Sequence, residues 1–93
     1  MSTPDAKLPP IHAPSQCRLA LTLVRDQLEA EGLEVSLDVM AERIVIGDGT
    51  MTLMPPGVGF HKHWRMFHSR QWIWPVATVL GVVAMVKAAE GAA

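Results

Sequence analysis

Cys17, Leu21, Val24 and Leu28 recur at the i, i+4, i+7 and i+11 spacing that places side chains on one face of an α-helix. Ser15 offers a side-chain cap before this face, and Gly32 supplies a stop after it. Arg18, Thr22, Arg25, Asp26 and Glu29 form the opposite, wetted side. Leu19 and Leu23 add a second apolar flank, broader than a helix resting on one sheet needs. That flank serves either a wider core contact or another subunit.

The period then changes from helical to alternating. Leu33, Val35 and Leu37 alternate with Glu34, Ser36 and Asp38, the pattern of a half-buried strand. Ile44 and Ile46 precede Gly47-Asp48-Gly49, and Met51 and Leu53 follow it, which predicts a hairpin, because glycine and aspartate tolerate the positive φ of tight turns. Pro55-Pro56-Gly57 ends the sheet by withholding ladder hydrogen bonds. Residues 15–57 therefore read as an αβββ head with three antiparallel strands. The Gly-Asp-Gly-Thr run is a turn and not a phosphate loop, since it lacks the lysine and hydroxyl spacing and joins two strands.

Past residue 57 the pattern turns aromatic, basic and then apolar. Read as a helix over 60–69, the chain puts Phe60, Trp64 and Phe67 on one face and His61, Lys62, Arg65 and Ser69 on the remainder. Such a segment suits a lipid surface, with Trp72 and Trp74 forming an interfacial belt. From Trp72 to Val86 no residue is charged. Pro75 suits a helix's first turn. Residues 72–89 would reach the short end of the roughly 17 to 25 residues a bilayer span needs, with Lys87 snorkelling to the interface.

Ala77, Gly81, Ala84 and Ala88 would line that helix with small residues, allowing close approach of a neighbouring helix in a membrane or a packed bundle. The β-branched valines leave a buried strand open as well. The expected fold class is α+β: a helix on a small three-stranded sheet followed by an apolar C-terminal helix, αβββα. Its expected parts are a proline-rich arm (1–14), the αβββ head (15–57), a basic and aromatic linker or interfacial helix (58–71) and the apolar helix (72–93).

Composition narrows the function classes. A chain of 93 residues makes one small, marginally stable domain. A formal net charge of -1 and a pI near 6.4 remove the positive field of a dedicated nucleic-acid binder. Lys62, Arg65 and Arg70 with Trp64, Phe67 or Trp72 would give only weak, salt-sensitive binding to phosphates and bases. Cys17 is the single cysteine, so neither an intrachain disulfide nor a CxxC motif exists. The first fifteen residues lack a charged start followed by an apolar stretch, so a cleaved signal peptide is not expected.

Chemistry is sparse. His61, His63 and His68 are weak metal candidates that would need Glu42 or Cys17 as a further ligand, and no HExxH or cysteine pair strengthens them. Asp38, Glu42 and Asp48 are not brought together by any spacing into an acid and base pair. No cofactor and no small-molecule substrate is implied.

The leading expectation is a non-enzymatic adaptor held at the cytoplasmic face of a membrane by its C-terminal segment, the cations of Lys62, Arg65 and Arg70 lying on the inner side. Its contact residues would be Phe60, Trp64, Phe67, Trp72, Trp74 and the small-residue stripe. The alternative is a structural subunit of an assembly, such as a virion or secretion apparatus, soluble in the cytoplasm or part of a particle, with its last helix buried between copies. Both imply a protein partner or self-association. A histidine-cluster metal protein is third.

Overall fold

The structure, a computed structural model, describes residues 6–57, 62–69 and 72–91. Along them run a helix α1 (Cys17–Ala30), strands β1 (Val35–Asp38), β2 (Arg43–Ile46), β3 (Met51–Met54), β4 (Trp64–His68) and β5 (Trp72–Val76), and a helix α2 (Val79–Gly91). The class is α+β, as the periodicities predict, but the sheet has five strands and not three. They form an antiparallel meander in the order β1-β2-β3-β4-β5.

The helix α1 buries Cys17, Leu21, Val24 and Leu28, with Ala20 beside them. It ends at Gly32, whose φ of 89° is left-handed. There the Leu33 amide donates to Leu28 O and the Gly32 amide to Glu29 O, the two bonds of a Schellman stop. The start differs from expectation. Pro14–Gln16 make one 3-10 turn, so Ser15 lies inside it and does not cap; the Gln16 side chain instead accepts the amides of His12 and Ala13.

The β2–β3 hairpin turns through Gly47 and Gly49, both at positive φ. The Asp48 carboxylate accepts the Thr50 amide and hydroxyl, and these bonds hold its pKa below the ordinary aspartate value.

Two strands replace the helix expected over 60–69 and the first part of the apolar helix expected over 72–93. Residues 64–68 pair with β3 from Met51↔His68 to Met54↔Arg65, and with β5 from Trp64↔Val76 to His68↔Trp72. Alternation, not a 3.6-residue period, governs this segment. Trp64 and Met66 point into the core, while Arg65 and Phe67 point to the other side, so Trp64 and Phe67 do not share a face.

The apolar run divides in the same way. Trp72–Val76 completes the sheet as an edge strand, where Pro75 is tolerated, and only Val79–Gly91 is helical. Thirteen helical residues rise about 20 Å, short of the roughly 30 Å hydrocarbon core. Among the described residues no helix is long and apolar enough to cross a membrane, which overturns the placement at the cytoplasmic face of one.

Both helices lie on the same face of the sheet. Val79, Val82, Val83 and Val86 of α2 join the α1 residues, and beneath them lie Ile44, Ile46, Met51, Leu53, Trp64, Met66 and Val76 in one cluster. Each fully buried leucine or isoleucine contributes about 1.5–3 kcal/mol. The outward side of α2 carries Ala84, Lys87 and Ala88. Alanines offer water little apolar area, which explains why a run lacking charges until Lys87 tolerates solvent on one side.

The N-terminal arm closes one end of this core. Lys7 bridges Thr78, flanked by bonds from the Leu8 amide to Ala77 O (2.9 Å) and from the Val79 amide to Ala6 O (2.9 Å). Leu8 is buried, and the Trp64 indole donates to Pro9 O at 2.8 Å. One further step in this register would set Pro9 opposite Val76 and Pro10 opposite Pro75. The three prolines have no N–H to donate, so the pairing stops at one bridge.

Candidate functional site: an uncovered sheet face

Among the described residues no helix lies on the second face of the sheet, and side-chain alternation decides what it displays. Ser36, Val45, Thr52, Phe67 and Ile73 are successive cross-strand partners and form one row across all five strands. Beside it, Asp38 pairs with Arg43 and Met54 with Arg65, which in turn faces Pro75. The molecule measures 37 × 37 × 20 Å. Its thin dimension leaves room for one sheet and one helix layer about 10 Å across, and for no second layer.

Thr52 is 5% exposed although it lies on this open side. Its register neighbours Val45 and Phe67 stand on either side of it. Val45, Met54 and Phe67 are themselves half-buried, and Ile73 at the edge is 55% exposed. An apolar strip thus crosses the centre of a face that antiparallel sheets ordinarily give to polar side chains.

The charges on this face are not symmetrical. Arg43 Nε donates to Asp38 Oδ2 at 3.2 Å. Asp38 Oδ1 also accepts the Ala41 amide, and that bond first, then Arg43, holds the carboxyl below its usual range. This pair is closed upon itself. Arg65 Nε, in contrast, is buried with no hydrogen-bond partner among the described residues. A guanidinium N–H shielded from water and left unbonded is costly unless something arrives to accept it.

The other sequence candidates scatter. Phe60, His61 and Arg70 lie outside the described residues. Lys62 and His63 are exposed just before β4, and Arg65 is half-buried within it. Trp64 is core, 3% exposed with its indole bonded, and presents no stacking surface. Trp74 is 55% exposed at the β5 edge, on the helix side. Trp72 begins β5 opposite His68.

Of the small-residue stripe, Ala77 precedes α2, and Ala84 and Ala88 face solvent. Gly81 alone is in close packing: a Cβ there would meet Thr78 Oγ1 at 3.0 Å and Val76 Cγ2 at 3.1 Å. Thr78 Oγ1 caps α2 by accepting the Gly81 amide at 3.0 Å. Leu19 and Leu23 are exposed on α1, so the broader apolar flank serves no wider core contact.

No group of three His, Cys, Asp or Glu side chains suited to a metal occurs among the described residues. Cys17 lies in the core, and burial, reinforced by the Glu42 charge, raises its thiol pKa. The open face went unnoticed in the sequence because Arg65, Phe67, Ile73 and Pro75 belong to strands read there as helix. The signal was present in the alternation of Trp64-Arg65-Met66-Phe67. No family model, no curated protein and no solved structure matches this chain.

Proposed function

We propose that this chain is a non-enzymatic protein-interaction module whose uncovered sheet face receives another protein. The carrying observation is that Val45, Phe67 and Ile73 flank the buried Thr52 on a face that no helix of the described residues covers. Its partner presents an apolar surface with a carboxylate near its centre. The apolar part buries the row, and the carboxylate accepts the Arg65 Nε–H, which has no acceptor among the described residues. Asp38 and Arg43 neutralise one another and contribute register more than affinity.

A photo-crosslinking residue in place of Val45 or Ile73 tests this in cells. The expected result is a discrete crosslinked product that is absent when the same residue replaces Arg18 on the outer side of α1, and that is lost on adding Arg65→Glu. Equal products from both sides of the molecule, or products indifferent to Arg65→Glu, would sink the proposal. A second reading, an assembly subunit, is favoured by Leu19, which is 74% exposed one turn before the exposed Leu23. It does not require α2 between copies, because the valines of α2 are already used in their own core.

A further inference from the structure

We propose that the slot at the junction of β5 and α2, filled here by the chain's own N-terminal arm, also takes the arm of a second copy, giving an arm-exchanged dimer. The slot's occupant defines its ligand: an extended Lys7-Leu8-Pro9 segment. Leu8 enters the core, its amide donates to Ala77 O, Ala6 O accepts the Val79 amide, and Pro9 O accepts the Trp64 indole. These contacts are local to residues 6–9. Between them and α1 the chain passes through Pro10 and Pro14; in this hinge Ile11 packs partly buried against the core edge, the Gln16 amide donates to Ala13 O, and the exposed Gln16 side chain accepts the amides of His12 and Ala13.

Releasing that side chain and Ile11 into water swings out a segment that its prolines keep extended. Two copies that exchange arms satisfy each slot with the same bonds and close a two-fold dimer. What distinguishes the exchanged state is the surroundings of the slot. Trp74, 55% exposed on the helix side, precedes it on β5, and Leu80, 40% exposed, follows it in the first turn of α2. A second body brought alongside by its arm shelters this rim, a gain the closed monomer lacks. The exchange does not depend on the open sheet face.

The Lys7–Thr78 pair provides a direct test. Its flanking hydrogen bonds make it the closer, non-hydrogen-bonded kind of antiparallel pair, a spacing that a disulfide can span. In full-length protein with Cys17→Ser, Lys7→Cys and Thr78→Cys, oxidation traps the arm wherever it sits. Protein is oxidised from about 10 μM to about 1 mM, the upper value matching the effective concentration that a short tether gives a chain's own arm.

The expected result is a reducible covalent dimer whose fraction rises several tens-fold over that range, from about 1–2% to about half. Leu8→Asp in the same background should abolish it. An intramolecular crosslink alone at every concentration would overturn the exchange, and no crosslink at all would overturn the docking. A dimer persisting with Leu8→Asp would show association by another surface and would also refute it. Should Leu8→Asp unfold the chain, Trp64→Phe, which removes the indole donor to Pro9 O along with some core volume, is expected to lower intramolecular and intermolecular crosslinking alike several-fold while their ratio stays the same; undiminished crosslinking would count against the slot.

Discussion

Replacing Leu8 by alanine separates a detachable arm from an integral one. Leu8 is 8% exposed, and truncating a leucine at a site that cannot collapse costs about 2–5 kcal/mol. The arm, however, can let go. Its docking gains about 1.5–3 kcal/mol from one leucine and about 1 kcal/mol net from each of three hydrogen bonds. Against this stands about 1–2 kcal/mol for ordering each residue from Ala6 to Pro9. Over these terms the net favours docking by at most about 2 kcal/mol, and that net caps the loss: once release is easier than keeping a cavity, further damage to the contact costs nothing more.

Leu8→Ala is therefore expected to lower stability by no more than about 2 kcal/mol, whereas Leu53→Ala, fully buried in the central strand, should cost about 3–5 kcal/mol. Urea unfolding of both variants measures the difference. The Trp64 indole N–H resonance, followed by NMR, should lose its bonded shift in Leu8→Ala while the rest of the spectrum stays native. A Leu8→Ala loss equal to that of Leu53→Ala would refute the reasoning, since the arm would then be as fixed as the sheet.

Thr78→Ala removes the side-chain acceptor of the Gly81 amide at the start of α2 and should cost about 1 kcal/mol in urea unfolding; a loss below a few tenths would mean the Gly81 amide finds water instead. For Cys17, a raised folded-state pKa means the folded chain binds the thiol proton more tightly than the unfolded one. Its contribution is complete below the ordinary thiol pKa of about 8.5 and is lost as pH rises toward the folded value. The urea midpoint should thus fall more steeply above about pH 8.5 in the wild type than in Cys17→Ala, and identical slopes would contradict the assigned shift.

Local pattern determined the parts of this protein whose partners lie close in sequence. The α1 face of Cys17, Leu21, Val24 and Leu28, its stop at Gly32 and the hairpin through Gly47 and Gly49 follow from periodicity and from the φ that glycine permits. Tertiary structure decided the rest. Residues 64–76 hold aromatic and β-branched side chains that fit a helix face or a pleated strand equally well at short range. What selects the strand is the free edge of β3, which offers β4 a ladder of backbone partners, and β4 then offers one to β5.

That choice divides the apolar run at Ala77. It turns four valines of α2 inward onto the strands they follow and leaves Arg65 and Phe67 on the open side. It also creates the seat for Leu8, more than fifty residues away along the chain from Trp64, whose indole holds Pro9. No sequence window contains both halves of that contact. Cross-strand pairing, a non-local interaction, outweighed a helical pattern that local spacing alone favoured.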